Sequence, residues 1–181
     1  MLIYNGGLLR TGSGIALNSD CCCDQGEPPC ESCLDLIGYT VDDTDPFYVA
    51  IALSEVTLSP DPVCTGQTAT LTFKMLNATG ENWPADCAPG AEADCAVTLD
   101  MFTSGTVLTV TGTTPGATVT NNAGDIRIDW FNQAFTIGEE KTYTVTFVYQ
   151  NCTADLGWDC YYGRGYRGSI TLDCTACPPT P

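Results

Sequence analysis

The sequence predicts an all-β fold, one antiparallel β-sandwich carrying cysteine-rich N- and C-terminal extensions. Three observations point there. Apolar residues recur at every second position in several short stretches, the period that sends alternate side chains to opposite faces of a strand. Threonine is the commonest residue, 26 of 181, while lysine occurs twice, a balance that favours pleated structure over helix. Gly, Pro and Asn turns separate the alternating stretches, and no segment combines a 3.6-residue apolar period with helix caps.

Three regions follow in order. In residues 1–45, Leu2-Ile-Tyr-Asn-Gly-Gly-Leu-Leu-Arg10 reads as a small hairpin about an Asn-Gly turn. After it come the run from Cys21-Cys-Cys to Cys30 and Cys33, then the acidic Asp42-Asp-Thr-Asp45. Residues 46–150 read as the sandwich. Tyr48 to Leu58 is extended and ends at Ser59-Pro-Asp-Pro62. Leu71, Phe73 and Met75 alternate with threonines and Lys74; Val97, Leu99 and Met101 alternate with Thr98 and Asp100. Val107-Leu-Thr-Val110 precedes a Pro115-Gly116 turn, Ile126, Ile128 and Trp130 form another strand, and Tyr143, Val145, Phe147 and Tyr149 give the cleanest alternation. In residues 151–181, Cys152 to Cys160 reads as a loop, Tyr161 to Arg167 as a Gly-spaced aromatic patch, and Gly168 to Cys174 as a closing strand. The Pro-rich end is extended, since proline supplies no ladder donor.

Charge and composition exclude several function classes. Asp and Glu outnumber Lys and Arg by 22 to 6, a net −16 with no histidine. Such a surface repels phosphate backbones and anionic lipid, so neither nucleic acid nor membrane is expected as a partner. Without histidine, no Ser-His-Asp or Cys-His nucleophile system and no His-liganded zinc can be built. A phosphate-cradling Gly-rich loop with Lys is absent from the sequence as well. Carboxylate-pair hydrolysis stays formally open, but no spacing selects a pair. The chain is therefore expected to be no enzyme, with no cofactor and no metal.

The segment from Val56 through Pro60-Asp-Pro-Val-Cys64 to Phe73 is similar to the opening of bacterial immunoglobulin-like repeat domains of surface proteins. Phe135-Thr-Ile-Gly-Glu-Glu-Lys-Thr-Tyr-Thr-Val-Thr-Phe147 resembles their last turn and strand. The resemblance covers roughly residues 55–150 and implies a spacer, stalk or adhesive module, with no catalytic residue to carry over. The opening Tyr4-Asn-Gly-Gly-Leu-Leu with Cys21-Cys-Cys is also similar to the starts of some phage-encoded proteins of unknown role.

Twelve cysteines, an even number, point to an oxidising compartment, whereas the first ten residues do not read as an export signal. A virion component released by lysis satisfies both. Cys87 and Cys95, and likewise Cys152 and Cys160, each bracket seven residues. Local disulfides there close nine-residue loops and stabilise by about 2.6 kcal/mol each on the chain-entropy model. The alternative for Cys30-x-x-Cys33 and Cys174-x-x-Cys177 is a four-thiolate zinc site, but about 140 residues intervene, far beyond zinc-ribbon spacing. The pairing of the other eight cysteines stays open at this point.

Smaller motifs have plainer readings. Asp42, Asp43 and Asp45 lack the Gly and distal Glu of a calcium loop. Arg164, Tyr166 and Arg167 offer charge and stacking to an acidic neighbour, and Asn77-Ala-Thr79 and Asn151-Cys-Thr153 match glycan-acceptor triplets. Leu2, Ile3, Tyr4, Leu8, Leu9, Ile15 and Leu17 are many apolar residues for a free tail, and glycines interrupt them too often to build a core alone. They are expected to be the assembly element, adding a strand to a neighbouring subunit. Together these readings point to a disulfide-stabilised structural protein of an extracellular particle, a capsid decoration or related component of a phage virion, partnered by its own copies or other virion subunits. The alternative is a secreted bacterial surface or filament-forming protein.

Overall fold

The computed structural model describes residues 32–41, 51–78, 80–83, 95–101, 107–122, 125–151, 156–163 and 165–175. Within them the chain forms strands β1 (Cys33–Val41), β2 (Ile51–Ser59), β3 (Val63–Cys64), β4 (Thr68–Asn77), β5 (Val97–Met101) and β6 (Val107–Thr113), followed by β7 (Ala117–Asn122), β8 (Asp125–Trp130), β9 (Glu140–Asn151), β10 (Leu156–Tyr162) and β11 (Gly165–Thr175). All strand pairings are antiparallel. The strands build a seven-stranded sheet in the order β3-β1-β11-β10-β5-β8-β7 and a four-stranded sheet in the order β2-β4-β9-β6. The fold is all-β, as the alternation predicts.

The two sheets pack face to face through the apolar half of each alternation. β4 contributes Ala69, Leu71, Phe73 and Met75, and β9 contributes Tyr143, Val145, Phe147 and Tyr149, all buried. Opposite them stand Val97, Leu99 and Met101 of β5, Ile126, Ile128 and Trp130 of β8, and Leu156, Trp158 and Cys160 of β10. Phe73 stacks on Tyr143 at 5.3 Å and meets Trp130 edge-on at 5.8 Å, so one aromatic triad bridges the layers. Such pairs add about 0.5–1.5 kcal/mol beyond the area they bury. The polar tips find partners: Trp130 Nε1 donates to Thr114 O at 3.1 Å and Tyr143 OH to Gln133 Oε1 at 2.8 Å.

The segments assigned by sequence to the extensions do not stand apart from this sandwich. β1, from the first region, and β10 and β11, from the last, occupy neighbouring positions inside the seven-stranded sheet. β10 is a strand where the sequence reading has a loop. Leu156, Trp158, Cys160 and Tyr162 alternate as a core face, an alternation that the proposed cysteine loop conceals. β1 is hard to read because its alternation breaks at a register shift between Leu36 and Gly38. The assembly residues Leu2, Ile3, Tyr4, Leu8, Leu9, Ile15 and Leu17 lie outside the described residues.

β3 holds an unusual position. The chain leaves β2 in the four-stranded sheet, passes Pro60 and Pro62, pairs β3 with β1 in the other sheet, and returns to the first sheet as β4. Ser32 fixes that crossing. Its backbone N donates to Thr65 Oγ1 at 3.2 Å, while Thr65 N donates to Ser32 O at 3.1 Å. The Ser32 hydroxyl also bonds Tyr149 OH and reaches Asn151 Oδ1 at 2.9 Å, tying β1 to the end of β9.

Candidate functional site

Cysteines are the chemistry-bearing residues that the sequence singles out, and the sandwich places the described ones in three settings. Cys95, just before β5, and Cys174, on β11, are disulfide-bonded. They lie at opposite ends of the sheet, since Val97 pairs with Tyr162 at one end and Leu156 with Leu172 at the other, so each is bonded to a different cysteine. Cys87, the expected partner of Cys95, lies outside the described residues.

Cys160 contradicts its expected pairing with Cys152. It is a thiol, fully buried in β10, with its Sγ 3.5 Å from Met75 Sδ on the opposing sheet. Burial pushes that thiol up to about 12, with the nearby Arg167 guanidinium opposing the shift. The physical reason is the period: Cys160 falls on the core side of an alternating strand. Cys152 itself is outside the described residues.

Cys33 and Cys64 form the third setting. They are directly opposed on β1 and β3, both 3% exposed, with Sγ atoms 3.5 Å apart. Spacing along the chain gives no hint of this opposition, because it depends on the crossing between sheets.

The outward face of the seven-stranded sheet carries a polar ladder that sequence reasoning does not single out. Asp159 on β10 opposes Asp100 on β5, and Asp100 opposes Arg127 on β8. Arg127 Nε donates to both carboxylate oxygens of Asp129 at 3.1 Å, and Nη1 stands 3.7 Å from Asp100 Oδ2. Thr98 Oγ1 donates to Asp129 Oδ1 at 2.6 Å, which leaves Asp129 well bonded although it is buried. The bond to Asp129 holds the guanidinium above its ordinary range. Partial burial, then Asp100, raises Asp159, against a lowering contact from Tyr161. A second like-charged pair lies across β1 and β11, where Asp35 opposes Asp173. Burial, Asp61 and Asp173, in that order, raise Asp35. The alternation shows Thr98, Asp100, Arg127 and Asp129 as outward residues, but only strand order and register make them neighbours.

The remaining motifs resolve individually. Asn77 is fully buried at the end of β4, where its Nδ2 donates to Glu81 O at 2.8 Å and to Thr136 O at 3.0 Å. It is a structural residue and its amide is not open to a glycan. Arg167 is buried within β11, where the register shifts between Cys160 and Tyr161; it is no surface grip. Asp42, Asp43, Asp45 and Arg164 lie outside the described residues. Among the described residues no group of three or more acidic or cysteine side chains is arranged to hold a metal ion. No family model and no curated protein matches the chain, so the immunoglobulin-like resemblance rests on its turn and strand patterns, and no site residue comes from a relative.

Proposed function

We propose that the chain is a non-enzymatic structural subunit of an extracellular particle, of the capsid-decoration kind in a bacterial virus, and that it works by strand exchange between copies. The observation that carries this reading is the β7 edge. Among the described residues Ala117–Asn122 pairs with β8 on one side in unbroken register and ends the sheet on the other. Natural sheets blunt such edges with lysine, proline, inward charges or bulges. The run Ala-Thr-Val-Thr-Asn-Asn has no charged residue and no proline, and Val119 is 44% exposed.

An edge of this kind accepts an extended peptide through main-chain hydrogen bonds, with alternate side chains seated beside it. The apolar residues Leu2, Ile3, Tyr4, Leu8 and Leu9 of a second copy supply a peptide of that chemistry. Apolar burial and ladder bonds then work against repulsion between subunits of charge −16, which salt screens over about 8–10 Å. The sandwich over residues 46–150 is read as immunoglobulin-like, extended by β1, β10 and β11 into a wide sheet suited to lying on a particle surface.

The test compares the full chain with a chain lacking residues 1–17 and with Val119→Lys, using sedimentation velocity and electron microscopy. The reading expects the full chain to associate, and both variants to stay monomeric with melting temperatures close to the parent. A truncated chain that unfolds, or a full chain that remains monomeric at every concentration, overturns it. Capsid and terminase genes beside the gene support the virion; sortase or pilus-assembly genes there support the surface-protein alternative instead.

A further inference from the structure

β3 meets β1 through two residue pairs alone, Cys33 with Cys64 and Leu34 with Val63. The bond from Thr65 N to Ser32 O makes the preceding pair the hydrogen-bonded one, so Cys33 and Cys64 occupy a non-hydrogen-bonded position. Antiparallel strands bring Cα atoms there to about 4.5 Å and side chains closest together. That separation lies within the roughly 4.4–6.8 Å that a disulfide spans. The two Sγ atoms already stand 3.5 Å apart in a buried setting. Bringing them to a bond of about 2.05 Å takes side-chain rotation and leaves the backbone in place.

We propose that Cys33 and Cys64 are a redox-closed latch, a cross-strand disulfide that fastens the edge strand β3 to β1. The oxidant is a low-molecular-weight disulfide of the glutathione class. One cysteine thiolate attacks it, breaks its S–S bond and expels one small thiol, leaving a mixed disulfide. The second cysteine, as its thiolate, displaces the other small thiol and forms the Cys33–Cys64 bond. The two protein sulfurs lose two electrons, the reagent gains them, and the two protons end on two small thiols.

The position of β3 gives the latch its effect. Because β3 is the crossing between β2 and β4, closing it ties a connection of the four-stranded sheet covalently to the seven-stranded sheet. The Ser32–Thr65 bonds hold the register that keeps the thiols opposed. The latch depends on this local geometry and is independent of the particle role proposed above.

The experiment equilibrates the full chain in reduced or oxidised glutathione, quenches in acid, alkylates under denaturation and digests after Asp and Glu. Cys33 then lies in Ser32–Asp35 and Cys64 in Val56–Glu81, each as the sole cysteine of its peptide. The latch predicts these two peptides linked to each other in most oxidised chains and separately alkylated in reduced ones. It also predicts that Cys64→Ala lowers the oxidised-minus-reduced difference in melting temperature by about 5–10 °C. Cys33 linked to any other cysteine, or both cysteines alkylated after full oxidation, overturns the proposal. The peptide map on the parent chain decides the matter even if Cys64→Ala fails to fold.

Discussion

A Cβ on Gly168 would stand 2.0 Å from the carbonyl oxygen of Thr40, because β11 and β1 approach each other there without room for a side chain. Gly168 also has φ +140, a conformation that L residues rarely adopt. Gly168 pairs with Val41 on one side and with Cys160 on the other, so its neighbours are backbone held from both sides. Gly168→Ala is expected to cost at least about 3 kcal/mol, or roughly 6–12 °C in melting temperature. Gly116→Ala is the control, since Gly116 has φ +90 in the Pro115 turn but nothing within 4 Å of an added Cβ; it is expected to cost about 1 kcal/mol. Equal effects in thermal melts would show that backbone conformation alone, and not the close approach, governs Gly168.

Asn77 offers a second stability test. Its side-chain amide donates to the carbonyls of Glu81, Phe135 and Thr136, while its backbone N donates to Glu139 O and its own O accepts from Gly138 N. One buried residue thus pins two loops at the end of β4. Asn77→Ala removes three side-chain bonds that tie these loops to β4, although Phe135 O keeps Trp83 N and Thr136 O keeps Glu139 N as donors, and is expected to destabilise by about 2–4 kcal/mol. Asn77→Asp is expected to cost more at neutral pH, because a carboxylate would face those same carbonyl oxygens. Denaturant unfolding of both variants checks the order; an aspartate variant as stable as the parent would rule out this role for the donor.

Much of the fold is legible in the sequence and the functional placement is much less so. The strands Thr68–Asn77, Val97–Met101, Asp125–Trp130 and Glu140–Asn151 follow from their alternation, since each has one buried face and one polar face. β10 alternates as clearly, yet cysteine spacing argues for a loop there and misplaces Cys160. β7 escapes notice because an edge strand needs no buried face to pair. The opposition of Cys33 with Cys64, and of Asp35 with Asp173, is decided by which strands become neighbours, and that is a property of the whole chain's topology.

The like-charged pairs make stability depend on pH in a definite direction. Asp35 titrates above its ordinary 3.8 in the folded protein, through burial first and then Asp61 and Asp173. Below 3.8 the group is protonated folded or unfolded and brings no penalty. Between 3.8 and the raised native value the unfolded chain has ionised while the folded group still holds its proton, so stability falls across that interval and the loss is complete above it. Asp35→Asn therefore raises the melting temperature at pH 7 by about 2–3 °C, a gain kept below about 1 kcal/mol by solvent screening, and by nothing near pH 3. Asp159→Asn follows the same sign. Glu139, lowered by the Thr136 backbone bond, acts oppositely in parent and variant and cancels in the difference. A gain for Asp35→Asn that grows on acidification would reverse the assignment.

Cys160 supplies the last prediction, because its thiol answers whether the core or the neighbouring cysteine claims it. Its Sγ faces Met75 Sδ in the layer between the sheets, and burial holds its acidity near 12. At pH 8 the thiolate that alkylating reagents require is then about one part in 10⁴. Cys160 is expected to resist alkylation in the folded chain for as long as the chain stays folded, and to react at once in denaturant without any reductant. A peptide found linked to Cys152 in the absence of reductant would restore the local disulfide and remove the thiol from the core. Substitution gives an independent check. Cys160→Ser places a hydroxyl beside a thioether in an apolar layer and is expected to cost about 1–3 kcal/mol, roughly 2–12 °C. Cys160→Ala leaves a similar small gap but buries no hydroxyl, and is expected to cost less than Cys160→Ser. Were Cys160 instead half of a surface disulfide, the two substitutions would destabilise equally, since each would remove the same cross-link.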